Sequence, residues 1–210
     1  MEAPLIFGIV VLIFSVIIHE VAHGWAAYAL GDPTAKLANR LTLNPVRHVD
    51  LLGTIIIPGL LLLSNSSFLF GWAKPVPYNP YNLRNARWGE AIVSIAGVLT
   101  NLVIALIFAL VARYATSVGA FGFASLAEVV VWINLLLGIF NLLPIPPLDG
   151  YTFLRSVMPI RRSMAFREFE DRLRSGGFMT LIVFLVVFSL FLARPFMLLV
   201  DYIFRIFVGG

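Results

Sequence analysis

The feature that most restricts this chain is residues 4–30, an apolar run interrupted only by His19, Glu20, His23 and a few small polar or aromatic side chains. Wound as an α-helix it reaches about 40 Å, more than the roughly 30 Å of hydrocarbon in a bilayer, so it crosses with some tilt. Gly31-Asp32-Pro33-Thr34 stops it. Three later runs, 91–113, 126–143 and 178–200, are also long enough to cross. With 60% hydrophobic and 12% charged residues, all 210 residues read as one all-α polytopic membrane domain, and no separate soluble domain fits between the spans.

Inside the first run lies His19-Glu20-Val21-Ala22-His23. Positions four apart share a helix face, so the two imidazoles can reach one ion, with Glu20 beside them. Ionisable side chains at membrane depth cost about 2.5 to 3.5 kcal/mol each on insertion scales and are functional by default. His-Glu-x-x-His suits zinc hydrolysis: the imidazoles and a third protein ligand hold Zn²⁺, one position is left for water, and the Glu moves the proton. Cys is absent, so the third ligand must be His or a carboxylate, and disulfides are excluded. Three His are also too few for a His-rich di-iron oxygenase. Asp149 is the best third ligand, because it follows Pro144-Ile145-Pro146-Pro147 at the end of a span, where a broken helix can aim it inward. His48 is a rival, but its neighbours Pro45, Arg47 and Asp50 favour an interfacial loop.

Elsewhere the chain is less explicit. Residues 51–63 are apolar but short and broken by Gly53, Pro58 and Gly59, with basic residues on both flanks. They read as a re-entrant or half-spanning segment, although extension to Phe70 would permit a crossing. The alternation from Lys36 to Leu43 reads as a strand ended by Asn44-Pro45, a small β-like surface loop, with an ordinary interfacial loop equally consistent. The prolines of 70–80 keep that stretch extended. Residues 114–125 suit an outer loop. In the last span Arg194-Pro195 is expected to kink or end the helix, with an amphipathic tail at the interface. Asn101, in a middle span beside Gly97, either serves the site or bonds a neighbouring helix.

The net charge of +4 arises from loops between spans, richest at Arg155, Arg161, Arg162, Arg167, Arg172 and Arg174, so positive-inside topology explains it and nucleic acid is not an expected partner. Placing residues 155–177 in the cytoplasm brings His19, His23 and Asp149 to similar depth on that side. Only Glu2 precedes the first apolar run, so a retained span is expected rather than a signal peptide. Small size and the lack of a targeting peptide suggest a prokaryotic inner membrane.

With these motifs in hand, the chain resembles the site-2 proteases, zinc intramembrane metalloproteases. The likeness rests on His19-Glu20-Val21-Ala22-His23, Gly97-x-x-x-Asn101, and Asn141 with Leu148-Asp149-Gly150, and it covers nearly the whole chain. Gly31-Asp32-Pro33-Thr34, Leu41-Thr42-Leu43-Asn44-Pro45 and Lys74-Pro75-Val76-Pro77 resemble the compact branch without a PDZ domain. The resemblance implies one zinc ion held by His19, His23 and Asp149, Glu20 as general base, and Asn101 and Asn141 near substrate backbone or oxyanion. It also implies substrates that are single-pass membrane proteins, cut where their helix unwinds. Oligomeric state is not legible. A metal transporter or channel using the same ligands for transit is the alternative, disfavoured because a permeation path needs polar groups along its length. A non-catalytic adaptor is disfavoured by the intact Glu20.

Overall fold

The structure, a computed structural model, describes residues 2–56, 63 and 73–209. Helix α1 (Glu2–Ala29) is followed by the single turn α2 (Thr34–Leu37), then α3 (Ala86–Ser117), α4 (Phe121–Asn141), α5 (Asp149–Val157), α6 (Ile160–Ser175), α7 (Gly177–Val187) and α8 (Ala193–Val208). Four stretches, Leu5–Ala29, Trp88–Ser117, Phe121–Asn141 and Ile182–Val208, are long and apolar enough to cross a membrane. They are the four spans expected from the sequence, and the chain is an all-α integral membrane protein.

Helix α3 is the hub, packed against α1, α4, α5 and α8. Its inner face is small, with Ala105 and Ala109 buried against Val131, Leu135 and Ile139 of α4 and Phe196 and Val200 of α8. Its outer face carries Leu99, Val103, Leu106 and Leu110, all exposed. Small residues inward and large apolar residues outward are the inverse of a soluble helix. That pattern follows when the surroundings are as apolar as leucine and close backbone approach drives association.

Gly31, with φ of 108°, ends α1, and the chain then buries Asp32 completely. The Asp32 carboxylate accepts from Thr34 N (3.1 Å) and Oγ1 (2.5 Å), Asn79 N (2.6 Å) and Asn82 Nδ2 (2.8 Å), tying the end of α1 to the turn at Pro80–Asn82. A second anchor joins α3, α5 and α6. Glu90 of α3 pairs with Arg155 of α5 and with Arg167 of α6 at 2.9 Å, and Arg155 also reaches Glu170 at 3.1 Å. The Tyr151 hydroxyl donates to Phe166 O at 2.8 Å, and the two rings stack, which presses α6 onto α5.

Four expectations are corrected. There is no strand over 36–43: Thr34–Leu37 is a helical turn, Asn39 has φ of 53°, and the segment folds back so that Arg40 is buried while Leu37 is exposed. The alternation was too short to outweigh the Asp32 turn, which starts a helix. Residues 114–125 are not an outer loop, since α3 runs to Ser117 and α4 starts at Phe121. Arg194-Pro195 does not end the last span. A π-helical turn, Phe188–Leu192, precedes it, and its wider backbone takes up the clash a proline ring makes with the carbonyl four residues back. The tail is not interfacial but packs into the bundle, with Ile203, Phe204 and Phe207 against the α3 and α4 core. The expected re-entrant segment over 51–70 falls mostly outside the described residues; its start, Leu51–Ile56, is π-helical.

Burial alone would raise the Asp32 carboxyl, but the hydrogen bonds from Thr34, Asn79 and Asn82 outweigh it and hold it below the ordinary carboxylate range. A lowered folded-state value contributes stability that is complete above the unfolded value of about 3.9 and is lost as pH falls through the folded one. Asp32→Asn is therefore expected to lose about 1–3 kcal/mol at neutral pH, with the gap to the parent narrowing below about pH 4; denaturation in detergent across pH measures both. Arg155→Ala leaves Glu90 without one of its two cations and is expected to cost about 3–5 kcal/mol in the same assay.

Candidate metal centre

His19 and His23 are buried on the face of α1 that meets α3. Their Nε2 atoms lie 3.0 Å apart, and Asp149 Oδ2 stands 3.0 Å from the first and 3.3 Å from the second. Asp149 opens α5, and the chain reaches it because Gly150 has no side chain: a Cβ there would strike the carbonyl of Leu142 at the end of α4. Gly97 of α3 lies over the imidazoles, where a Cβ would sit 2.5 Å from His23 Nε2 and 2.7 Å from His19 Nε2. Any side chain at Gly97 would fill the space between the three groups.

The hydrogen bonds settle which imidazole nitrogens carry protons. His23 Nδ1 faces the Val93 carbonyl at 2.6 Å, and a carbonyl only accepts, so this nitrogen donates. For His19 the argument passes through two amides. Asn134 Nδ2 donates to Val130 O and Ser15 Oγ, both at 2.9 Å, which turns Asn134 Oδ1 toward Asn101 Nδ2 at 2.8 Å. Asn101 Oδ1 is then the atom that meets His19 Nδ1 at 2.5 Å, so His19 donates there. With both Nδ1 protons committed, each imidazole in its neutral form presents a lone pair at Nε2.

Three electron-rich atoms therefore converge, and buried Asp149 Oδ2 accepts no hydrogen bond among the described residues. Such a set needs a cation. The spacings match the roughly 3.3 Å between ligands of a tetrahedral ion with bonds of about 2.0 Å, and two imidazoles with one carboxylate are a zinc hydrolase donor set. The imidazoles are 7% and 11% exposed and the Asp149 side chain 22%, so the centre opens on the Asp149 side. Among the described residues this is the one group of metal-binding type.

The other expected residues fall around it. Glu20 Oε2 accepts from Val76 N at 2.8 Å, so the carboxylate is fastened to the extended segment 73–79. That segment presses against α1 where Gly24 leaves room: a Cβ there would sit 2.8 Å from Val76 Cγ1 and 2.6 Å from Leu41 Cδ2. Asn101 stands behind His19 with both ends of its amide engaged, rather than facing the opening. Asn141 donates to Leu137 O of its own helix at 3.0 Å. His48 is outside the group; its Nε2 donates to Thr42 O at 2.8 Å. Sequence reasoning missed Asn134 and Ser15. The signal was present for Asn134, an amide in the middle of an apolar span.

Residues 7–121 and 114–184 match the model of peptidase family M50. YwhC of Bacillus subtilis strain 168, a candidate zinc metalloprotease by name, is 41% identical over 189 residues, 86% of this chain and 78% of YwhC. Rip2 of Mycolicibacterium smegmatis, named in the same way, is 28% identical over 182 residues, 83% of this chain and 64% of Rip2. Rip2 of Mycobacterium tuberculosis H37Rv is 30% identical over 141 residues, 67% of this chain and 52% of Rip2. No solved structure matches the chain.

Because Asn134 orients Asn101 and through it His19, Asn134→Leu is expected to weaken zinc affinity by about 10- to 100-fold, the usual effect of losing a partner behind a metal ligand. Competition with a chromogenic chelator measures it.

Proposed function

The chain belongs to peptidase family M50 and is a zinc metalloprotease; from that premise we propose that it works inside the bilayer, hydrolysing peptide bonds in or beside the transmembrane segments of single-pass membrane proteins. The observation that carries this reading is the convergence of His19, His23 and Asp149 among helices long and apolar enough to cross a membrane. His19 Nε2, His23 Nε2 and Asp149 Oδ2 would hold the ion. When bound, zinc supplies a water acidified to a pKa of about 7 and polarises the scissile carbonyl.

The remaining steps belong to the protein. Glu20, next to His19 and set by the Val76 amide through Oε2, takes the proton of the attacking water on Oε1 and passes it to the leaving nitrogen. Asn134 and Asn101 keep His19 in the tautomer whose Nε2 lone pair faces Asp149. Water reaches the centre from the Asp149 side. A substrate helix must unwind first, because its carbonyls are engaged in its own ladder. The Arg-rich connection that follows α5 supports a cytoplasmic side for the centre under the positive-inside rule, in keeping with an inner membrane. A transit role for the metal would need further polar groups along a path.

The purified protein is expected to carry one zinc and to cut a model transmembrane substrate. Glu20→Gln should keep the zinc while its rate falls by about 10²- to 10⁴-fold, the share usual for general acid–base catalysis. Cleavage at the parent's rate in that variant would remove Glu20 from the mechanism, and undiminished zinc in Asp149→Asn would remove Asp149 from the ligands. Metal analysis and a gel assay in nanodiscs provide the readouts.

A further inference from the structure

Next to the extended segment that holds Glu20 lies a cavity of about 440 Å³, lined by Arg40, Arg47 and Lys74 together with Ala38, Val46, Val49 and Pro77. Its walls are pinned together. Lys74 N donates to His48 O at 2.9 Å, and Arg40 Nη2 donates to Lys74 O at 2.6 Å and Pro75 O at 3.3 Å. Arg40 is only 7% exposed, and its Nε has no partner among the described residues. Three basic residues thus line one space, and among its described lining residues there is no acid. Nor can 51–73 supply one, since that stretch contains no Asp or Glu. Asp50 is occupied with Gly53 N at 2.7 Å, and Glu20, which gives Arg40 a counter-charge, is engaged by Val76.

Like charges gathered around a cavity repel one another unless an anion completes the set. The surroundings indicate which anion. Leu43, Val46, Val49, Leu51 and Leu52 are all exposed along the same stretch. Cations among exposed apolar side chains suit the boundary between headgroups and acyl chains, where the apolar groups enter the bilayer and the cations meet phosphate. We propose that this cavity is a binding site for the phosphate headgroup of an anionic phospholipid. The site is distinct from the metal centre, and its occupancy does not depend on cleavage. Arg40 spans the two, because the carbonyls it grips belong to the residues just before Val76, whose N–H holds Glu20.

The test uses the full chain in nanodiscs of phosphatidylcholine with increasing phosphatidylglycerol. Native mass spectrometry counts retained lipid, and thermal melting reports stabilisation. The parent is expected to retain one phosphatidylglycerol and to melt higher as its fraction rises. Arg47 and Lys74 are exposed and outside the metal centre, so Arg47→Gln with Lys74→Gln is expected to leave the fold intact. The double variant should lose affinity for phosphatidylglycerol by roughly 30-fold. Arg161→Gln with Arg162→Gln, exposed cations on α6, should leave retention unchanged. Equal losses in both doubles would reduce the effect to general surface charge and overturn the site. Inorganic phosphate raising the melting point as far as the lipid does would overturn the lipid assignment. So would indifference to phosphatidylglycerol combined with a charge-dependent affinity for a peptide with acidic flanks.

Discussion

Two imidazole nitrogens and a carboxylate oxygen, 3.0 to 3.3 Å apart, form the contact on which the rest of this structure depends. In water such a meeting would be relieved by hydration. Here the atoms lie between α1, α3 and α5, where repulsion is weakly screened and a cation is correspondingly strongly bound. The helices are arranged so that the repulsion cannot be escaped. Val93 O and Asn101 Oδ1 take the only imidazole protons, and the absence of side chains at Gly97 and Gly150 lets the backbones close around the ligands.

Around that centre the protein spends its polar groups in two ways. Within the apolar slab, Ser15, Asn101 and Asn134 satisfy one another and leave no donor unused at His19, which is the condition for burying amides in a helix bundle. At the first turns of α3, charges hold the ends: Glu90, Arg155, Arg167 and Glu170 bind α5 and α6 to α3. Asp149 begins the helix that ends in this network, so the carboxylate beside the two imidazoles is set by ion pairs as well as by its own contacts.

The spans were legible because bilayer thickness translates directly into a run of apolar residues, and His19 with His23 because four-residue spacing fixes a helix face. Boundaries were less so. Residues 36–43 alternate as a strand would, but Asp32 captures Thr34, Asn79 and Asn82 and starts a helical turn instead, a contact across nearly fifty residues that no local pattern reports. Pro195 looks like a terminator until the π-helical turn before it is seen. The tail looks interfacial because its apolar residues, Ile203, Phe204 and Phe207 among them, pack against α3 and α4, which no local pattern distinguishes from lipid.

By itself the sequence determined that the chain crosses a membrane, that His19 and His23 share a face with Glu20 beside them, and that Asp149 was their best partner. These are properties of helix period and chain hydrophobicity, which act locally. Only the tertiary structure decided which proton each imidazole keeps, that Asn101 turns its back on the opening to serve His19, that Asn134 orients Asn101, and that Val76 holds Glu20. Each of those joins residues 33 to 82 positions apart. Hydrogen bonds of that kind are directional and short-ranged, so they exist only once packing has brought the donors and acceptors within 3 Å of each other.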